Sequence, residues 1–193
     1  MVVVAIIAIL TTLLLPALSR SKSRAQAIMC MNNSRQLGLV WIMYYTDNND
    51  NLADNLSPDV PSLMFASAAT PNWVNNIMDW EVDPSDTNLD FVNQSLFARY
   101  AFTPNIYHCP ADHALSAVQQ AAGWTGRVRS VSMNAMVGFP GNNAYQNGVN
   151  TGNTNYQQFV RENDFKDPSS IFVFLDEHPD SIDDGYFLQT TNN

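Results

Sequence analysis

With 193 residues the chain has room for one domain and an appendage, or at most two small domains. Apolar residues make up an ordinary 46%, but charged residues only 14%, and asparagine is plentiful where lysine and glutamate would be common. The net charge of −9 divides sharply: residues 1–46 carry +4, while residues 47–193 carry −13, which repels phosphates and argues against nucleic acid as a ligand of the body.

From Met1 to Leu18 the chain is apolar except for Thr11 and Thr12. Eighteen helical residues at about 1.5 Å each span about 27 Å, close to a bilayer's hydrocarbon core. Nothing basic precedes the run, and three cations crowd the small-residue stretch "ALSRSKSRAQA" behind it, so it reads as retained rather than cleaved as a secretory signal. Those cations, Arg20, Lys22 and Arg24, fall where lipid headgroups begin. Pro16 predicts a kink inside the apolar run.

Beyond it the helical pattern resumes. Cys30, Leu37, Val40, Trp41 and Tyr44 recur at helical spacings and draw one apolar stripe for packing on the head, with Asn32, Asn33, Arg35 and Gln36 on other faces. The helix is expected to end near Thr46, where "TDNNDNLADN" has turn chemistry. This divides the chain into an apolar membrane segment (1–24), an amphipathic segment (25–46) and a head (47–193). If the head lies outside the cytoplasm, the chain's two cysteines, Cys30 and Cys109, are expected to form one disulfide.

In the head, residues 47–105 read as loops with one short helix, and "DFVNQSLFARYAF" has helical spacing at Phe91, Leu96, Phe97 and Tyr100. "NIYHCP" is expected to be a short strand, "GRVRSVSMNAMVG" (126–138) a longer one, and 139–157 a Gly/Asn-rich surface loop. The continuous apolar run "SSIFVFLDE" (169–177) predicts a central strand, and "DDGYFL" a turn into a last one. The expected fold is α+β: a long kinked N-terminal helix packed on a small antiparallel sheet.

The opening segment "VVVAIIAILTTLLLPALSRSKSRAQAIMCMNNSRQLGLVWIMYYTDNN" resembles the N-terminal helix of type IV pilins and type II secretion pseudopilins. "YHCPAD", "RSVSMNAMVG" and "PSSIFVFLDEHPDSIDDGYF" are similar to the heads of pilin-like proteins that carry a prepilin-type cleavage and methylation segment. The resemblance implies a subunit held in the inner membrane by a single span, with its head in the periplasm or outside the cell, that assembles with other pilin-like subunits. Val2, Ile6, Ile9, Leu13 and Pro16 would belong to the membrane and filament helix. The family's leader ends in Gly before a Phe, with a Glu soon after, and none of these is present at the start of this sequence. We therefore expect a truncated N-terminus, and the end at "QTTNN" is also abrupt. Prepilin peptidase and an assembly platform are expected partners if a leader exists. Arg20, Lys22 and Arg24 taken alone would hold the following residues in the cytoplasm, whereas the resemblance implies a basic leader inside and the head outside.

Among candidate sites, Asp176, Glu177, Asp180, Asp183 and Asp184 leave the end of a predicted strand together, and calcium is the cation suited to such a carboxylate-rich turn. Pseudopilin heads often hold calcium near this end, so the resemblance points the same way. The opposing reading is a solvated acidic turn. "DNNDN" (47–51) imitates half of an EF-hand but has Leu52 and Pro58 where glycine and glutamate belong, so a capping turn is expected. His108, Cys109, Asp112 and His113 are ligand types for zinc but lack a second cluster to complete a tetrahedral set. No nucleophile elbow, phosphate loop or metalloprotease helix occurs, so no catalytic residues are assigned. A structural, non-enzymatic subunit is the favoured reading. A single-pass binding or sensor protein that does not polymerise comes second, and an anchored hydrolase third.

Overall fold

The structure is a computed structural model, and it describes residues 2–57, 72–74, 78–142, 144–151, 153–182 and 184–189. Helix α1 runs from Val2 to Asp47 without interruption, passing through Pro16, and at 46 residues it is about 69 Å long. Its first half stands clear of the other described residues, and its second half is gripped by the head. The helix stops where backbone and side chains cap it. The amides of Asn48 and Asp50 donate to the Tyr45 carbonyl, and Asn49 and Asp50 take positive φ values of 54° and 62°. The "DNNDN" segment is thus a helix-ending turn.

The head is α+β with two small sheets, one mixed and one antiparallel. Strand β1 (Val131–Asn134) lies between β5 (Phe174–Asp176), antiparallel to it, and β6 (Tyr186–Phe187), parallel to it. The apolar run expected to be central is therefore an edge strand. Helix α1 packs along β5, so its apolar side chains are covered by a helix rather than by a further strand. The strand expected over 126–138 shrinks to four residues, because the amides of Val128 and Ser130 donate to the carbonyls of Asp86 and Tyr107, each at the end of a 3₁₀ turn. Its simple alternation also fails: Val131, Ser132 and Met133 are all buried, as a strand covered on both faces requires.

The expected surface loop at 139–157 holds a second sheet, in the order β2 (Tyr145–Gln146), β3 (Val149–Asn150), β4 (Asn153–Gln157). Asn147 and Gly148 connect β2 to β3 with φ of 53° and 84°, the two-residue turn that suits the twist of a hairpin. Asn150 is sealed inside, donating to Gln158 Oε1 at 2.9 Å and to the Tyr186 hydroxyl. The strand expected at "NIYHCP" is absent: Pro104–Tyr107 form a 3₁₀ turn, started by proline and capped by Thr103, and His108 leaves it in extended conformation. Helix α2 covers only Leu89–Asn93, and the chain continues in turns past Phe97. Helix α3 (Ala117–Ala121) opens with a capping box between Ser116 and Gln119.

Trp73 organises the core. Its ring lies 5.3 Å from Phe174, 6.0 Å from Phe97 and 6.1 Å from Tyr107, between centroids. Its indole N–H donates to Asn55 Oδ1 at 3.0 Å and the Gly185 carbonyl at 3.2 Å. Leu37 and Val40 enter the same core from α1, against Val92, Ile106, Val131 and Met133.

Candidate functional site

The feature that sets this molecule apart is α1, which divides into three zones. Over Val2–Leu18 the side chains of the described apolar residues are exposed. The polar atoms there are turned inward: Thr11 Oγ1 donates to the Ile7 carbonyl at 3.0 Å, and Thr12 Oγ1 to the Ile9 carbonyl at 2.8 Å. Hydrocarbon demands that economy, because an unpartnered hydroxyl there has no water to turn to. The helix is long and apolar enough to cross a membrane. Val2, Ile6, Ile9, Leu13 and Pro16 all lie in this zone.

The second zone, residues 19–25, carries Arg20, Lys22 and Arg24, all exposed. Between them Ser21 and Ser23 return their hydroxyls to the Ala17 and Ser19 carbonyls, at 2.9 and 3.2 Å. At 100° per residue, Lys22 points away from Arg20 and Arg24, so positive charge occurs on both sides of the helix.

In the third zone the head takes hold. Gln26 Nε2 donates to the Pro110 carbonyl at 2.9 Å, Cys30 and Cys109 are joined in a disulfide, and Asn33 Nδ2 donates to the carbonyls of Asn105 and His108 at 3.1 and 2.9 Å. Leu37 and Val40 are then buried, and Trp41 and Tyr44 pack partly buried against the core. Tyr44 meets Phe97 and Tyr100 edge to face, and Trp41 meets Phe165. The inward stripe is thus Gln26, Cys30, Asn33, Leu37, Val40, Trp41 and Tyr44. Asn33, assigned by spacing to another face, belongs to it because its amide satisfies the carbonyls of the 3₁₀ turn.

The outward face of the same stretch is also apolar. Ile28, Met31, Leu39 and Ile42 are 62%, 65%, 50% and 43% exposed, and their spacings of three, eight and three put them on one line. Arg35 interrupts that line and Thr46 ends it. A helix read for one apolar face hides this second one. The two stripes sit on opposite sides, so the helix segment offers apolar surface both to its own head and away from it.

Cys109 holds the tie between head and helix in a polar frame. Its amide donates to Ser130 Oγ at 2.8 Å, and Ser130 in turn donates to Asp176 Oδ1 at 2.6 Å. Because the Cys109 sulfur is bonded to Cys30, it is not a thiolate ligand, and the zinc set drawn from His108, Cys109, Asp112 and His113 fails. His108 is held below its usual pKa, chiefly by burial, which disfavours its charged form.

The acidic stretch is spread over different tasks. Asp176 anchors Ser130, and the Glu177 amide donates to the Ser130 carbonyl. Asp180 lies at the surface, 3.6 Å from His178. Asp184 is buried, and its Oδ1 accepts the Tyr186 amide at 2.7 Å. Gly185 and Phe187 direct their carbonyls to Met133 and Ala135, so the Tyr186 amide faces away from β1, and Asp184 closes it off. Asp183 lies outside the described residues. Among the described residues no three His, Cys, Asp or Glu groups converge on one point.

No family model, curated protein or solved structure matches this chain.

Proposed function

We propose that the protein is a pilin-like subunit, held in the inner membrane by the first half of α1 and assembling through that helix into a type II secretion or type IV pilus-like filament. The observation that carries this reading is the two-faced helix. A protein that only needed an anchor would require an apolar first half and one stripe for its own head. The second stripe, Ile28, Met31, Leu39 and Ile42, continues the exposed apolar run past the point where the head begins. Exposed apolar surface of this extent is a mark of contact with something else. Inside a helical bundle, Val2–Leu15 would exchange lipid for neighbouring helices at little cost, since both surroundings are apolar. The head would sit on the periplasmic or outer side, with its acidic loops outward. If a leader precedes this sequence, prepilin peptidase and an assembly platform are its partners.

A photo-crosslinking residue at Ile42, in the full chain in its native membrane, tests this. Adducts joining two copies of the chain, or this chain to a similar helix, are expected. Ile42 stands about 36 Å beyond Leu18 and clear of the bilayer, so the absence of such protein adducts would instead leave an anchored head that does not polymerise.

A further inference from the structure

We propose that Arg20, Lys22 and Arg24 form a collar that binds anionic phospholipid headgroups in the leaflet next to the head. This rests on the membrane-span reading of Val2–Leu18 and adds the class of lipid. The apolar zone ends at Leu18, and the first bond between helix and head is made at Gln26. At about 1.5 Å per residue the intervening helix is about 12 Å long, and the three cations stand about 3, 6 and 9 Å beyond Leu18. A bilayer's polar layer adds roughly 5–8 Å on each side of the hydrocarbon core, so Arg20 and Lys22 occupy that layer and Arg24 stands at its outer edge, while the head stays beyond it.

Angular arrangement then selects the kind of partner. Arg20 and Arg24 lie about 40° apart around the axis, and Lys22 about 160–200° from both. A partner docking on one side would reach two of the three, whereas a surrounding layer of headgroups reaches all. The serines between them bond their own backbone, leaving the cations as the outward chemistry of the zone. No acidic residue occurs before Asp47, about 35 Å along the helix from Arg24, so no nearby carboxylate of the helix competes for them. The head carries −13 and by itself would be repelled from an anionic membrane, so the collar is the part of the chain that favours such a surface.

Each cation near an anionic surface favours binding about fivefold, so three give roughly 100-fold. The test is partition of the full chain from diluted detergent into vesicles of neutral phosphatidylcholine, and into vesicles with about one third phosphatidylglycerol. We expect roughly 100-fold stronger partition into the anionic vesicles at low salt and a much smaller ratio near 1 M salt, where screening shortens to about 3 Å. The triple variant Arg20→Gln, Lys22→Gln, Arg24→Gln should lose that preference and, with the charge of −13 on residues 47–193 unopposed by the collar, partition no better into the anionic vesicles than into the neutral ones. Equal partition of the unaltered chain would overturn the collar while leaving the span intact, and would turn attention to the acidic head of another copy. A triple variant that kept the preference would overturn it too. Failure to enter either vesicle would refute the span reading, and the collar with it.

Discussion

Leu37 and Leu39 are two residues apart on one helix and face opposite worlds. Leu37 is sealed in the core, whereas Leu39 is half exposed, on the far side of α1. The two positions separate stability from assembly. Leu37→Asp buries a carboxylate among Val92, Ile106 and Val131 and should cost about 4 kcal/mol or more. For a head of this size that lowers the melting temperature by about 10 °C. Leu39→Asp should change stability by no more than about 0.5 kcal/mol while weakening contacts between copies. Circular dichroism melts of both variants check this, and an unchanged melt for Leu37→Asp would show that the stripe does not hold the head.

The tie between Cys30 and Cys109 closes a loop with a sequence separation of 79 residues. Cross-linking so long a loop restricts the unfolded chain by about 4 kcal/mol in the chain-entropy account. Reduction, or Cys30→Ser with Cys109→Ser, should lower the denaturant midpoint accordingly. A change below about 1 kcal/mol would mean that the Gln26, Asn33 and Leu37 contacts hold the helix without help from the disulfide.

Gly185 passes directly beneath Trp73. A Cβ there would lie 2.6 Å from Val74 Cγ1 and 3.0 Å from the indole nitrogen, which also donates to the Gly185 carbonyl. Gly185→Ala must therefore move the central ring of the core, and a loss of about 1–3 kcal/mol is expected from overpacking. Near-ultraviolet circular dichroism, which reports the tryptophan environment, should change along with the melt. A melt and spectrum like those of the unaltered protein would show that the ring has room to yield.

Much of this architecture can be read from the residues, and the failures have physical causes. The inward stripe from Cys30 to Tyr44 shows in the spacing because buried positions of a helix repeat. The outward stripe escapes the same method: an apolar residue is taken to face the head unless a structure shows the head already covered. Gly/Asn-rich composition predicted a loop over 139–157, although Asn147–Gly148 is a hairpin turn. Asn150 and Gln158 are buried because they bond each other and the carbonyls of Ala135 and Gly138, and composition alone carries no trace of such pairing. Likewise, the continuous apolar run of β5 fits any strand covered on both faces, and only tertiary structure reveals that α1 provides one cover. The acidic turn after β5 looks like one cluster in sequence, yet Asp176 and Asp184 point into separate hydrogen bonds.

Two carboxyl groups give the head an unusual response to pH. Burial pushes both Asp54 and Asp86 up to about 6 from an ordinary value of 3.8. Asp86 is sealed, accepting the Asp79 amide at 3.1 Å and Gln119 Nε2 at 3.0 Å. Between about pH 4 and 6 the folded chain therefore holds protons that the unfolded chain has lost, and stability falls as pH rises across that window. The contribution is complete below about pH 4 and is lost as pH rises through 6. Discounted for the partial exposure of Asp54, the two groups should make the head on the order of 2 kcal/mol more stable at pH 5 than at pH 7. Asp54→Asn should raise the melting temperature at pH 7 and flatten part of the slope, because it removes a buried charge without emptying its place. His108, held below its usual pKa by burial, contributes in the opposite sense, so melts of the unaltered protein and of Asp54→Asn from pH 4.5 to 7.5 are compared; a difference between them that stays constant across that range would contradict the burial of Asp54.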